Sequence, residues 1–240
     1  MNHAVKKQQG FTIIELMLAM SFIAVLLIAI AMTIIQIGNI YNKGLTLKEV
    51  NQVGRDISED LRRTIAAGSS VNLDNDFIEV VEMGRIVGGR LCLGTVSYVW
   101  NNAWAIDASH ARLMRKGTEP VRLMTVPDST KAYCVRNAVT GFPNVTTIPA
   151  AEVNARELLR AGDRTLAFHS LKVSTTAGAT DTTTRQRLYA VKFTLGTQRS
   201  DLVNLEATPI NCKTPQEIGS DLNYCTVQDF SIVVRAGSGV

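Results

Sequence analysis

One carboxylate stands where a charge is costly. Glu15 heads a run, Leu16 to Asn42, that contains no charged side chain. An ionised carboxylate held in hydrocarbon costs roughly 2.5–3.5 kcal/mol on insertion scales. Glu15 therefore needs a cationic partner, and the nearest basic side chain before it is Lys7. The other reactive residues lie far downstream. Cys92, Cys134, Cys212 and Cys225 make an even set, which outside the cytoplasm points to disulfides, and four cysteines allow three pairings. The favoured pair is Cys212–Cys225, which closes a loop around Pro215, Gly219 and Asp221 just before a final apolar segment; Cys92–Cys134 follows. The first bridge contributes about 3 kcal/mol in the chain-entropy model. Free thiols are the second reading. Zinc is the third and fits worst, because there is no Cys-x-x-Cys and no histidine close to a cysteine in sequence.

A search for catalytic groupings finds nothing coherent. His3, His110 and His169 are isolated, and the serines stand in no motif that would activate a nucleophile. The stretch Met83-Gly84-Arg85-Ile86-Val87-Gly88-Gly89 resembles a phosphate loop only in its glycines, since it lacks Lys-Ser/Thr and opens no helix. The expectation is a non-enzyme without cofactor or metal. Trp100, Trp104, His110, Arg112, Arg115 and Lys116 bring aromatic and basic groups together as nucleic-acid binders do. Glu119 follows them, the net charge is only +4, and the aromatics suit a sheet core equally well, so nucleic acid is not expected as a partner.

The elements that position Glu15 come next. Leu16–Ile35 has only Ser21 and Thr33 as polar members, and as a helix it rises about 30 Å, the thickness of a bilayer's hydrocarbon core. A helix apolar all round needs protein on every side if it is not in lipid. A cleaved secretory signal is the rival, but its apolar core is about 7–15 residues with an Ala-x-Ala-like end. This run is longer and continues through Gly38 and Gly44 with neither proline nor such a site. Lys6 and Lys7 precede the span and Lys43 and Lys48 follow it, the latter beside Glu49. That bias, though small, favours a cytoplasmic N-terminus and an extracytoplasmic bulk.

Lys6-Lys7-Gln8-Gln9-Gly10-Phe11-Thr12-Ile13-Ile14-Glu15-Leu16 resembles the N-terminal signature of type IV prepilins and type II secretion pseudopilins. The resemblance covers Lys6 to Val50. It implies a leader, residues 1–10, cut after Gly10 by a prepilin peptidase that also N-methylates the new terminus, Phe11. Glycine suits such a cut because no side chain obstructs the backbone. It implies too that Glu15 pairs with the N-terminal amine of a neighbouring subunit, which supplies the missing cation. The sequence departs from many major pilins in having Met32 where they carry a proline, which predicts a straighter helix there. With the chain's length, this points to a minor component, similar to the PilW-like or J-type.

Leu47, Val50, Gly54, Ile57, Leu61 and Ile65 recur at spacings of three and four, with Arg55, Asp56, Glu59, Asp60, Arg62 and Arg63 on the other faces. The spacing predicts a helix from Phe11 to Ala67, about 85 Å long, with residues 11–40 in the membrane and 41–68 amphipathic, the stripe packing on the chain's own sheet. Residues 69–240 read as a β-rich extracytoplasmic domain. Its expected strands are Phe77–Met83, Gly89–Leu93, Val96–Trp100, Arg112–Met114, Thr165–Val173 (Leu166, Phe168 and Ser170 on one side), Leu188–Leu195 and Phe230–Val234. A helix is expected over Pro149–Leu159, stopped by Ala161-Gly162-Asp163, and a loop over Thr175–Thr184. The fold class is α+β: a long N-terminal helix packed on a mainly antiparallel sheet, as in pilins.

The function expected from this reading is that of a minor pilin or pseudopilin, a structural subunit that primes, caps or joins a filament. Its partners would be the prepilin peptidase, other pilins and the inner-membrane assembly platform. The alternative is a filament-tip or single-span membrane-anchored binding protein, an adhesin or DNA receptor.

Overall fold

The computed structural model describes residues 12–68, 70–159, 165–180 and 187–236. The chain divides after Asn42 into two units. A single helix, α1 (Ile13–Ala67), runs from one into the other. It is helical through Met32, Gly38 and Gly44, as expected from the absence of proline. From Thr12 to Asn42 no residue is buried, and this part of α1 is long and apolar enough to cross a membrane.

In the second unit the stripe on α1 is buried: Thr46, Val50, Gly54, Ile57, Leu61 and Ile65. Leu47, expected in that stripe, is 42% exposed, and Thr46 takes its place. The substitution keeps the buried positions four apart from Thr46 to Gly54, the spacing of one helical face. Gly54 is required here by close approach. A Cβ on it would stand 2.0 Å from the Phe230 ring.

After α2 (Leu73–Asp76) come β1 (Phe77–Glu82), β2 (Arg85–Leu93) and β3 (Val96–Asn101). Then follow α3 (Ala103–Asp107), β4 (Arg115–Lys116), β5 (Glu119–Pro120), β6 (Leu123–Pro127), β7 (Thr147–Ile148) and β8 (Arg156–Glu157). The chain closes with β9 (Leu166–Thr180), β10 (Arg187–Thr197), β11 (Val203–Asn204), β12 (Asn211–Cys212) and β13 (Val227–Ala236). The class is α+β, with one refinement: the expected single sheet is two larger sheets and two small ones. The first is an antiparallel sheet in the order β1-β2-β3-β6-β8, the second β13-β10-β9.

One core unites the α1 stripe with Leu91, Leu93, Tyr98, Trp100 and Leu123 of the first sheet and Phe168, Tyr189, Val191, Phe193 and Leu195 of the second. A second core covers the other face of the first sheet, where Ile78, Val80, Val99, Met124 and Val126 meet Met114, Tyr133 and Ile148. Strands β3 and β6, buried on both faces, lose the inside–outside alternation, and β6 was not among the expected strands. Strand β10, buried on one face, shows the expected row Tyr189, Val191, Phe193, Leu195.

Three expected elements are corrected. Pro149–Leu159 is not a helix. The Pro149 carbonyl accepts the amide of Glu152, the Glu152 carboxylate takes the amide of Asn154, and Arg156–Glu157 joins the open edge of β6 as β8. A local carboxylate bond and a free sheet edge outcompete the helical ladder. The expected stop at residues 161–163 lies outside the described residues. Arg112–Met114 is turn and coil, with the strand one step later at β4, because the Asn101 side chain takes both the amide and the carbonyl of Met114. Strand β9 runs to Thr180 through the expected loop, whose residues 181–184 are outside the described set. A bulge in it skips His169, since Thr194 faces Ser170 and Leu195 faces Phe168. The bulge turns Leu171, rather than Ser170, into the core.

Candidate functional site

The start of α1 is a capping box. The Thr12 amide and hydroxyl both donate to Glu15 Oε2 at 2.9 Å, and the Glu15 amide donates to Thr12 Oγ1 at 3.3 Å. Each residue satisfies a donor that the first helical turn leaves orphaned. The negative charge also sits at the positive end of the helix dipole. The sequence carries this signal as Thr-x-x-Glu, a spacing that the sequence reading above did not use. No basic side chain pairs with Glu15 among the described residues. Gly10 and Phe11, the expected cleavage and methylation positions, lie outside the described residues, as does His3.

Further along, α1 is tied to the first sheet by polar bonds as well as by its stripe. Tyr98 donates to Asp60 Oδ2 at 2.7 Å, its hydroxyl lies 2.8 Å from Thr64 Oγ1, and Arg156 pairs with the other Asp60 oxygen. Burial drives the Tyr98 phenol upward, so it stays a neutral donor. Beside this group, Glu157 Oε1 accepts the Leu123 amide at 2.9 Å. Burial raises its carboxyl to about 7, because the charged form loses more hydration than the backbone hydrogen bonds and the Arg122 charge replace.

All four cysteines are bridged, Cys92 to Cys134 and Cys212 to Cys225, the favoured pairs. The sequence separations are 42 and 13, which in the chain-entropy model correspond to about 4 and about 3 kcal/mol. Cys92 joins β2 to the short 3-10 turn Ala132–Cys134. Cys212 joins β12 to the residues just before β13.

The aromatic and basic residues between Trp100 and Lys116 do not form one surface. Trp100 is 1% exposed, between Phe77 and Phe168. Arg112 lies over the Phe142 ring, its Nε 3.2 Å from Glu82 Oε2, and His110 Nδ1 is 3.3 Å from the same oxygen. Arg115 donates to the Thr118 carbonyl and Lys116 to that of Ala155. Trp104 faces the Arg85 guanidinium at 5.4 Å. The glycine-rich stretch is the β1–β2 hairpin. Met83 and Gly84 both have positive φ, the pattern of a tight primed turn, and Gly89 lies where a Cβ would strike the Trp100 ring.

His169 is 2% exposed at the β9 bulge, and neither ring nitrogen has a well-aligned hydrogen bond among the described residues. Burial lowers its pKa to about 4, against a small opposing pull from the Thr197 backbone, so the ring is neutral at physiological pH. Among the described residues no group of three or more His, Cys, Asp or Glu side chains is placed to hold a metal ion. Compared with models of protein families, with curated proteins and with solved structures, the chain matches none.

Proposed function

We propose that this chain is a minor pilin or pseudopilin, a subunit that primes, caps or joins a type IV pilus-like filament. The observation that carries the reading is the placement of Glu15: the only charged side chain at the mouth of an apolar helix, one turn beyond a Gly10–Phe11 pair. The mechanism is mechanical. Cleavage after Gly10 leaves a positive amine on Phe11. Until assembly, the carboxylate of Glu15 is held by its own Thr12. An amine from a neighbouring subunit offers a stronger, charge-assisted bond. The burial cost of Glu15 falls when that pair forms, so the pair sets the register as the helix leaves lipid for a bundle of like helices. The prepilin peptidase, other pilins and the inner-membrane assembly platform are the partners this implies, with the N-terminus cytoplasmic and the disulfide-bonded domain outside.

The test is the intact mass of the protein extracted from native membranes. A species lacking Met1–Gly10 and heavier by one methyl group is expected. A full-length mass would sink the filament reading and leave a permanent single-span anchor carrying an extracytoplasmic domain, the binding-protein alternative.

A further inference from the structure

A cleft of about 710 Å³ opens between the β1–β2 turn, the start of α3 and the segment from Ser200 to Glu217. That volume falls within the roughly 300–1,000 Å³ usual for small-molecule sites. Its charges cancel: Arg85 and Lys213 stand against Glu206 and Glu217, and Arg85 is already paired with Glu206. A charged ligand of either sign would have to compete with an ion pair in place. The remaining polar groups are neutral: Asn102, Asn204, Ser200 and the buried His169 imidazole, whose ring nitrogens make no well-aligned hydrogen bond among the described residues. Beside them stands the Trp104 ring, with the Arg85 guanidinium 5.4 Å and the His110 ring 5.3 Å from its centroid. An aromatic face next to guanidinium, carboxylate and amide groups suits a molecule with apolar C–H faces and a rim of hydroxyls. The walls are also held in place. The Cys212–Cys225 bridge and the β11–β12 ladder fix one side. The Asn102 side chain, capping α3 and bonded to the Ile86 carbonyl, fixes the other. Such preorganisation lowers the entropy lost on binding.

We propose that this cleft binds a neutral sugar unit carried on a glycan, with Trp104 packing against the ring and Glu206, Arg85 and Asn204 holding its hydroxyls. The proposal does not depend on the filament reading, because the cleft is built from the β-rich unit alone.

The test uses the full chain, disulfides intact, in a detergent without a sugar headgroup. Methyl glycosides of glucose, galactose and N-acetylglucosamine, the corresponding free sugars, and glucuronate as an anionic control are titrated by saturation-transfer NMR. At least one methyl glycoside is expected to bind saturably, and at least as tightly as its free sugar. Glu206→Gln, at an exposed position, is expected to weaken it about tenfold with unchanged thermal unfolding; Trp104→Ala is expected to weaken it as much and to unfold at a lower temperature, since Trp104 packs against the second core. Should Trp104→Ala fail to fold, Glu206→Gln carries the test. Saturable binding of none of the sugars, binding of glucuronate alone, or affinity untouched by Glu206→Gln would overturn the proposal. A tenfold preference for the free sugar would overturn the glycan as its source.

Discussion

The parts of α1 before and after Asn42 share one backbone hydrogen-bond ladder and follow opposite side-chain rules. In the first, apolar residues cover the whole circumference and none is buried by protein. In the second, only one face is apolar, and Val50, Ile57, Leu61 and Ile65 are each at most 1% exposed. The first part has the length and composition to cross a membrane, the second the one-sided pattern of a helix packed on a domain. In lipid the backbone satisfies itself and any side chain that is apolar will serve. In water, stability comes chiefly from the stripe, with full burial of each large aliphatic side chain worth about 1.5–3 kcal/mol. Among the glycines, Gly38 in the first part has open space around it and Gly54 in the second meets Phe230, while Gly44, also open, lies just past the boundary.

The strongest test of this contrast is one substitution made in each part. Ile57→Ala should cost the disulfide-bonded domain about 2–5 kcal/mol in denaturant unfolding, from lost transfer energy and the cavity left behind. Ile28→Ala should leave the same transition within about 0.5 kcal/mol of wild type. Equal losses would show that the first part contributes to the stability of the domain, and the contrast would fail.

Glycine replacement should differ even in sign. Gly54→Ala must push the Phe230 ring out of its stack on Phe193, 5.1 Å away, and should cost about 1–3 kcal/mol. Gly38→Ala meets nothing and should raise helix stability by up to about 1 kcal/mol, read as helical circular dichroism surviving to higher temperature. A neutral Gly54→Ala would mean that the ring yields freely and that the stripe is looser than its burial implies.

The smallest effect concerns the carboxylate beside the buried face. Glu157 titrates near 7 when folded, against 4.5 as its ordinary value. A raised acid favours the folded state when protonated, so its contribution is complete below about 4.5 and is lost as pH rises to about 7. Glu157→Gln keeps the acceptor for the Leu123 amide and removes the titration. Relative to wild type it should gain progressively, by about 1–2 kcal/mol in all, as pH rises through those values, and hold that gain without further change above them. His169, lowered to about 4, works in the other direction, its contribution lost as pH falls from about 6.5 to about 4. The comparison is therefore between variant and wild type, which share that histidine. A parallel pair of pH curves would refute the burial of Glu157.

Much of this was legible in linear order because the signals are local. The helix, its change of character near Asn42, the row on β10 and the capping residues Thr12 and Glu15 each depend on spacings of two, three or four. Even the favoured disulfide pairs followed from loop length and position. What stayed hidden depends on partners distant in sequence. Whether residues 149–159 coil into a helix or lie along β6 was decided by a free sheet edge about 30 residues upstream. The bulge at His169 was decided by its register with β10. The cleft draws on residues from Gly84 to Glu217, and no short window contains enough of them to show it.

The sequence by itself determined where α1 changes from apolar all round to one apolar face, all but one residue of that face, and the placement of Glu15, since helical periodicity and hydropathy are properties of neighbours along the chain. Only the tertiary structure decided that the β segments form two larger sheets with cores on both faces of one of them, and that Trp104, His169, Arg85 and Glu206 share a cleft. Pairing and burial of that kind are contests between distant backbone edges and apolar faces, and the free energy that settles them exists only once those surfaces meet.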